Sequence, residues 1–547
     1  MTKSLSLLAV LACAGLGVEH ATAASLPRTI LFVDDEDVLY RAGVTRKIVP
    51  MQKFAGNPVI APDKPWEAGS IAWTSVYRDP KTGKFQLWYQ AYNQRKGDRT
   101  LENTVAYAES PDGIVWTKPN VGLFPFYEEK ETNIVLVGSG GYSSRYCCSV
   151  LFDERETDPA RRYKMVYYDW SIGTEEERGS GTHVAFSPDG IRWTKHGRMV
   201  LKSGYGAKGI QAPLQGERIM SEEKAANGTV RKKWAVPLSM SDAADVLYDP
   251  RHEAYVIYGK MWIPGPDGGL SWKHAMGRSQ SKDFLQWSKP ELVLTPNDRD
   301  PPMLEFHTSP AFFYNGQYLS LNQVLDRRAG TIDLELISSR DGFRWDRSFA
   351  SVPIVARGAG AVFDAGSLFS NSTPIVVGDE IRFYFGAYRG TAIGGVGFDR
   401  QKIGSKDYFS GIGYASTRRD RFVAVLPDPA SSVRNPAPQP KAGPDGKLGP
   451  GPANTIGQVT LKPIDLTGAR DILLNADAAK GKIRVELLDE DGYRLRGFTK
   501  DDAVPIAADG LELRAAWKAK SLRDLPAGRY LVRVHLENAE LFAVTLR

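Results

Sequence analysis

The sequence predicts an all-β protein: a five-bladed β-propeller followed by a small C-terminal β-sandwich. Three observations carry the prediction. A Ser-x-Asp-Gly turn leading to a tryptophan returns along the chain, each return sits among short β-like segments, and a proline-rich stretch separates these repeats from a last set of alternating strands.

The repeat is clearest at Ser110-Pro111-Asp112-Gly113-Ile114-Val115-Trp116 and Ser187-Pro188-Asp189-Gly190-Ile191-Arg192-Trp193. Looser copies stand at Ser281-Lys282-Asp283-Phe284 with Trp287, at Ser339-Arg340-Asp341-Gly342 with Trp345, and, worn, at Thr417 to Phe422. In such a turn the Asp accepts backbone N–H groups, Gly supplies a positive φ, and the aromatic packs back over the hairpin. The first unit opens at Trp66-Glu67-Ala68-Gly69 and runs through Ile71 to Tyr77, Phe85 to Tyr92 and Thr104 to Ala108. Others open at Ser143 to Tyr146, Ser241 to Asp245, Leu304 to His307 and Phe363 to Gly366. A unit of about four strands repeated five times calls for a radial array whose ring an N-terminal strand can close.

Residues 1–23 have the form of a signal peptide: Lys3, an apolar stretch from Leu5 to Val18, and Ala21-Thr22-Ala23 as a small-x-small cleavage site. The stretch is too short to span a bilayer, so an exported protein, periplasmic or extracellular, is expected. A lipid anchor on Cys13, after Val10-Leu11-Ala12, is the alternative. Propeller residues are expected over 24–425, a linker over 426–455, where prolines recur from Pro427 to Pro452, and the sandwich over 456–547. Sandwich strands are read at Gln458 to Leu461, Asp471 to Asn475, Ile483 to Leu488 and Tyr530 to Leu536. Cleavage within the linker is expected to leave two folded pieces.

A net charge of +6 spread over 547 residues offers no basic surface for nucleic acid. Of the three cysteines, the adjacent Cys147 and Cys148 are poorly placed for a disulfide and read as small apolar strand residues. No metal and no cofactor is implied, and no oligomeric state is read.

Inner strands of a propeller start near one mouth of its channel, so the unit openings converge there. They carry Glu67, Arg145, Asp242 with Asp245, Glu305 with His307, and Asp364. Buried carboxylates are costly unless they are paired, and a channel mouth without function could be lined with Ser, Thr and Gly instead. A pair of carboxylates, one holding a proton and one ionised, is what cleavage of a glycosidic bond requires. Glu305, between Leu304 and Phe306, is expected to be the general acid, its pKa raised by an apolar setting. Asp242 or Glu67 would be base or nucleophile and Asp364 the third carboxylate. Arg145, His307 and Asp245 would hold substrate, with Trp66 and Trp73 as sugar-stacking faces.

These openings, with Phe363-Asp364-Ala365-Gly366 and Val376 to Gly386, resemble the five-bladed propeller glycoside hydrolases of the family 32 and family 43 groups, and more narrowly exported bacterial proteins of family 32-like type. The resemblance implies a glycosidase acting on poly- or oligosaccharide through carboxylates of successive inner strands. The Asn-Asp-Pro-Asn-Gly nucleophile motif of the invertase group is absent, so fructan specificity is not implied. A polysaccharide lyase on the same scaffold, or a glycan-binding propeller without catalysis, are the alternatives.

Overall fold

A computed structural model describes residues 27–93, 97–140, 148–171, 179–203, 220–224, 230–234, 238–266, 272–390, 407–430 and 455–547. The expected signal peptide, Arg145, Cys147 and most of the linker lie outside them. The described chain is all-β, in several antiparallel sheets.

The first unit is the sheet Ser70–Arg78, Phe85–Tyr92, Asn103–Ser110 and Ile134–Leu136. The second unit pairs Ser149–Phe152, Tyr163–Ser171 and Gly179–Ser187 with short outer strands, and the third is Met240–Asp249, Ala254–Ile263, Lys273–Ser281 and Glu291–Leu294. The fourth centres on Gln317–Asp326 and Thr331–Ser339, the fifth on Glu380–Tyr388 and Ser410–Arg418. These two are joined by a single parallel pairing of Ile332 with Ser367. The fifth takes its last strand from far upstream, where Gln52 and Lys53 pair with Ser416 and Ala415. Glu380–Tyr388 then packs against Ser70–Arg78 of the first unit.

The repeated turns behave as their residues dictate. One oxygen of Asp112 accepts the N–H groups of Ile114 and Val115 at 2.8 and 2.9 Å, and Asp189, Asp283 and Asp341 do the same two and three residues on. They also tie unit to unit. The Gly113 carbonyl accepts the Tyr384 hydroxyl of the fifth unit at 2.7 Å, and the Gly190 carbonyl accepts the Trp88 indole N–H of the first at 2.6 Å. The Gly342 carbonyl accepts the Tyr258 hydroxyl of the third at 2.6 Å. Gly190 has φ +77°, and a Cβ there would lie 2.6 Å from the Trp88 ring. Gly190→Ala is therefore expected to cost about 1–3 kcal/mol or more, read as a lower urea midpoint.

At the C-terminal end the strands fall close to their expected positions, at Ile456–Leu461, Ile472–Asp477, Lys482–Leu488 and Arg529–Glu537. They do not stand alone. Arg28–Leu31 pairs with Ala543–Leu546, Val38–Ala42 with the strand Ile456–Leu461, and Val44–Ile48 with Val423–Pro427. Residues 28–48, expected within the propeller segment, thus lie in the sheets of the C-terminal residues. The strand Val423–Pro427 likewise crosses the expected linker boundary at 426. One apolar core, from Ile30 and Phe32 to Val534 and Val544, runs through them.

Candidate active site

In three units the first strand loses register with the second shortly after it starts: between Ala72 and Thr74, between Met240 and Ala244, and between Phe306 and Thr308. A bulge adds a residue and re-aims its side chain. The residues in these breaks include Trp73, Asp242 and His307. Trp73 takes φ +49°, rare for an aromatic residue. Its ring stacks on His307 at 5.3 Å and meets Phe369 at 4.5 Å.

Asp242 is buried in an ion pair with Lys260, which rises from the neighbouring strand. Burial alone would raise the Asp242 pKa, but the Lys260 ammonium reverses this and holds the carboxyl below its ordinary range. The same ammonium, added to burial, works against protonation of the two imidazoles: His274 falls to about 4 and His307 well below its usual value. Both rings are neutral at pH 7.

Glu305 corrects its sequence assignment. The expected apolar setting would have kept it protonated. Burial does push its pKa up, but hydrogen bonds and charge from His274, then Arg327, bring it down to about 2. Its Oε1 lies 2.6 Å from His274 Nδ1 and 3.0 Å from Arg327 Nε, and Oε2 accepts the His274 backbone N–H at 3.1 Å. Phe306, beside it, packs under the Arg347 guanidinium instead. An ionised Glu305 requires Nδ1 of neutral His274 to carry the proton, which leaves Nε2 as a bare acceptor. Among the described residues, that Nε2 and the Nδ1 of His307 are buried without a hydrogen-bond partner, a state that buried polar atoms rarely keep without a use. The Trp262 ring covers His274 at 3.7 Å.

Asp245 sits three residues beyond Asp242 on the same strand, in a different environment. Burial raises its pKa to about 7, against hydrogen bonds from the Ser149 side chain and the Ser372 backbone. The native chain therefore holds a proton that the unfolded chain has released between about pH 4 and pH 7. Stability owed to this group falls as pH rises through that window, by on the order of 4 kcal/mol in all. Asp245→Asn is expected to be more stable than the natural chain at pH 8 and to lose that advantage at pH 4, in urea unfolding at the two pH values.

The remaining candidates lie elsewhere. Glu67 belongs to a short 3₁₀ turn, Pro65–Glu67, and is fully buried. Its oxygens accept from Tyr89 at 2.6 Å, from Lys118 at 2.8 and 2.9 Å, and from the backbone of Asp63 and Lys64. Trp66 donates its indole N–H to Asn133 at 3.0 Å and packs on Phe126. Both serve the core of the first unit, and neither joins Asp242. Asp364 pairs with Lys53 at 2.6 Å and lines a separate cavity. Cys148 is a free, buried thiol.

The structure thus brings together Asp242, Glu305, His307 and Trp73, leaves Asp245 further along the Asp242 strand among Ser149 and Ser372, and adds Lys260, His274, Arg327 and Trp262, which the unit openings do not reveal. Lys260 did leave a signal: it is the one charged residue in the otherwise apolar strand Ala254–Ile263. Among the described residues no group of three or more His, Cys, Asp or Glu could hold a metal, and no helix is long and apolar enough to cross a membrane.

No family model and no curated protein matches the chain. Among solved structures it is similar to one described as a glycoside hydrolase, at TM-score 0.44 and 13% identity, covering 68% of this chain and 92% of that one. It is similar to a thermostable family-43 glycoside hydrolase at TM-score 0.40 and 13% identity, covering 74% and 99%. A third, at TM-score 0.40 and 14% identity over 70% and 97%, is an N-acetylgalactosamine deacetylase from F. plautii in complex with blood group B trisaccharide. Likenesses this distant carry no argument about the chemistry, which rests on the residues above.

Proposed function

We propose that the five sheet units are the blades of a five-bladed β-propeller, and that the chain is an exported glycoside hydrolase acting on poly- or oligosaccharide at one mouth of its channel. Support for the architecture comes from the contact of the fifth unit with the first and from the closing strand Gln52–Lys53. One observation carries the chemistry: on a single strand, Asp242 is held ionised while Asp245 keeps a proton up to about pH 7. Two carboxyl groups with separated pKa values define the base and the acid of glycosidic cleavage.

In this reading Asp242 is the base or nucleophile and Asp245 the proton donor. Lys260 keeps Asp242 ionised. Glu305 is a positioning residue that fixes the His274 tautomer, and Trp73 sets His307 against the site. The bare Nε2 of His274 favours a second reading, a polysaccharide lyase in which this imidazole abstracts the proton next to a uronate carboxylate. A panel of neutral and uronate-containing glycans, assayed for new reducing ends and for near-ultraviolet absorbance, decides between them. Reducing ends without absorbance are expected. Products that absorb would replace the hydrolase with the lyase, and binding without any product would remove catalysis from the proposal.

A further inference from the structure

A cavity of about 490 Å³ opens beside Asp364. It is separated from Asp242 and its neighbours by a row of rings. His307 and Trp73 meet Phe369, Phe369 meets Tyr388 at 4.9 Å, and Tyr388 stacks on Phe409 at 6.3 Å. Next to the last two rings in the chain, Arg389 and Tyr408 line the cavity, with Lys53, Phe54, Asp364 and Asp407.

The wall is built from two compensated ion pairs, Lys53 with Asp364 and Arg389 with Asp407. Asp364 is buried, and Lys53 occupies only its Oδ2. Among the described residues Oδ1 accepts no hydrogen bond, and a Cβ on Gly358 would lie 2.2 Å from it, so a larger residue there would close over the oxygen. Arg389 Nε is buried without a hydrogen-bond partner among the described residues. Among the described lining residues each cation is paired with an anion, an arrangement that favours a neutral ligand. An open acceptor on Asp364 and a donor on Arg389 suit sugar hydroxyls, the rings of Phe54 and Tyr408 match the apolar face of a sugar, and the volume falls in the ~300–1,000 Å³ range of small-molecule sites.

We propose that this cavity is a second saccharide subsite, which takes a neutral sugar ring of the same glycan whose bond is cleaved beside Asp242. The inference rests on the glycan reading above and assigns it a substrate class: a neutral chain long enough to reach the cavity from the Asp242 site.

The Lys53–Asp364 pair also ties the closing strand to the fifth unit, so replacing either residue confounds binding with folding. Ala361, exposed on the cavity wall, avoids this, because Ala361→Trp fills the space and leaves both ion pairs intact. Titration calorimetry on the full chain would use cello-, manno-, arabino- and malto-hexaose together with the matching monosaccharides. At least one hexaose is expected to bind, and Ala361→Trp is expected to weaken it about tenfold or more with an unchanged melting temperature. A hexaose bound equally by the natural chain and by Ala361→Trp overturns the subsite, as does failure of all four to bind. The glycan panel is read independently. Turnover with unaltered hexaose binding removes the subsite and keeps the hydrolase, whereas weakened binding without any turnover keeps the subsite and removes the hydrolase.

Discussion

Glu305→Gln is expected to lower kcat/KM by roughly two to four decades, and by the same factor on a natural glycan and on an aryl glycoside with a good leaving group. The equality follows from charge. A proton donor is dispensable when the leaving group needs no proton, so loss of a true acid spares the activated substrate. Glu305 is ionised between His274 and Arg327 and has no proton to give. Its amide replacement removes the negative charge that fixes the Nδ1–H tautomer and leaves Arg327 without its partner, and both losses act whatever the leaving group. Asp245→Asn should show the opposite pattern, crippling the natural substrate, sparing the aryl glycoside and removing the limb of the pH profile near 7. Measuring both variants on both substrates, with circular dichroism to establish folding, gives four rates. If Glu305→Gln spared the aryl glycoside, Glu305 would be the acid after all and the roles of Glu305 and Asp245 would have to be exchanged.

This reversal shows how far a unit opening can be read. Openings mark where an inner strand starts, and Asp242, Glu305 and His307, read from three such openings, do lie near one another. The openings do not say what surrounds a side chain. The environment of Glu305 is set by His274, from the third strand of another unit, and by Arg327, just after a strand end; no local pattern links these positions. Glu67 looks equivalent to Glu305 in sequence, yet its own turn supplies the N–H groups that consume it. Asp364 lies three residues ahead of its strand, Ser367–Ser370, and turns to Lys53 instead. The repeated turns were legible for the converse reason, since the backbone partners of their Asp lie within three residues. The links from turn to neighbouring unit, such as Trp88 to Gly190, were not.

The largest effect on stability is expected from residues 28–48, whose place in the fold the sequence does not reveal. Their strands pair with residues near the far end of the chain, so no periodicity within either stretch could disclose the contact. Deleting residues 28–48 removes the buried side chains of Ile30, Leu31, Phe32, Val33, Val38 and Ile48. At about 1.5–3 kcal/mol for each fully buried apolar side chain, the loss is of the order of the whole stability of a domain, ~5–15 kcal/mol. It also strips paired strands from Ala543–Leu546, Gln458–Leu461 and Val423–Pro427, exposing edges that invite aggregation. The C-terminal sheets of the deleted protein are expected not to fold, although Gln52 and Lys53 remain to close the fifth unit. For the same reason, cleavage between residues 431 and 454 should give two fragments that co-elute in size-exclusion chromatography and separate only in denaturant, because the amino-terminal fragment keeps strands that the other needs. The fragment 456–547, expressed alone, should show no cooperative unfolding. A sharp urea transition from that fragment would mean that its own strands suffice, and that the pairing with residues 28–48 adds little to its stability.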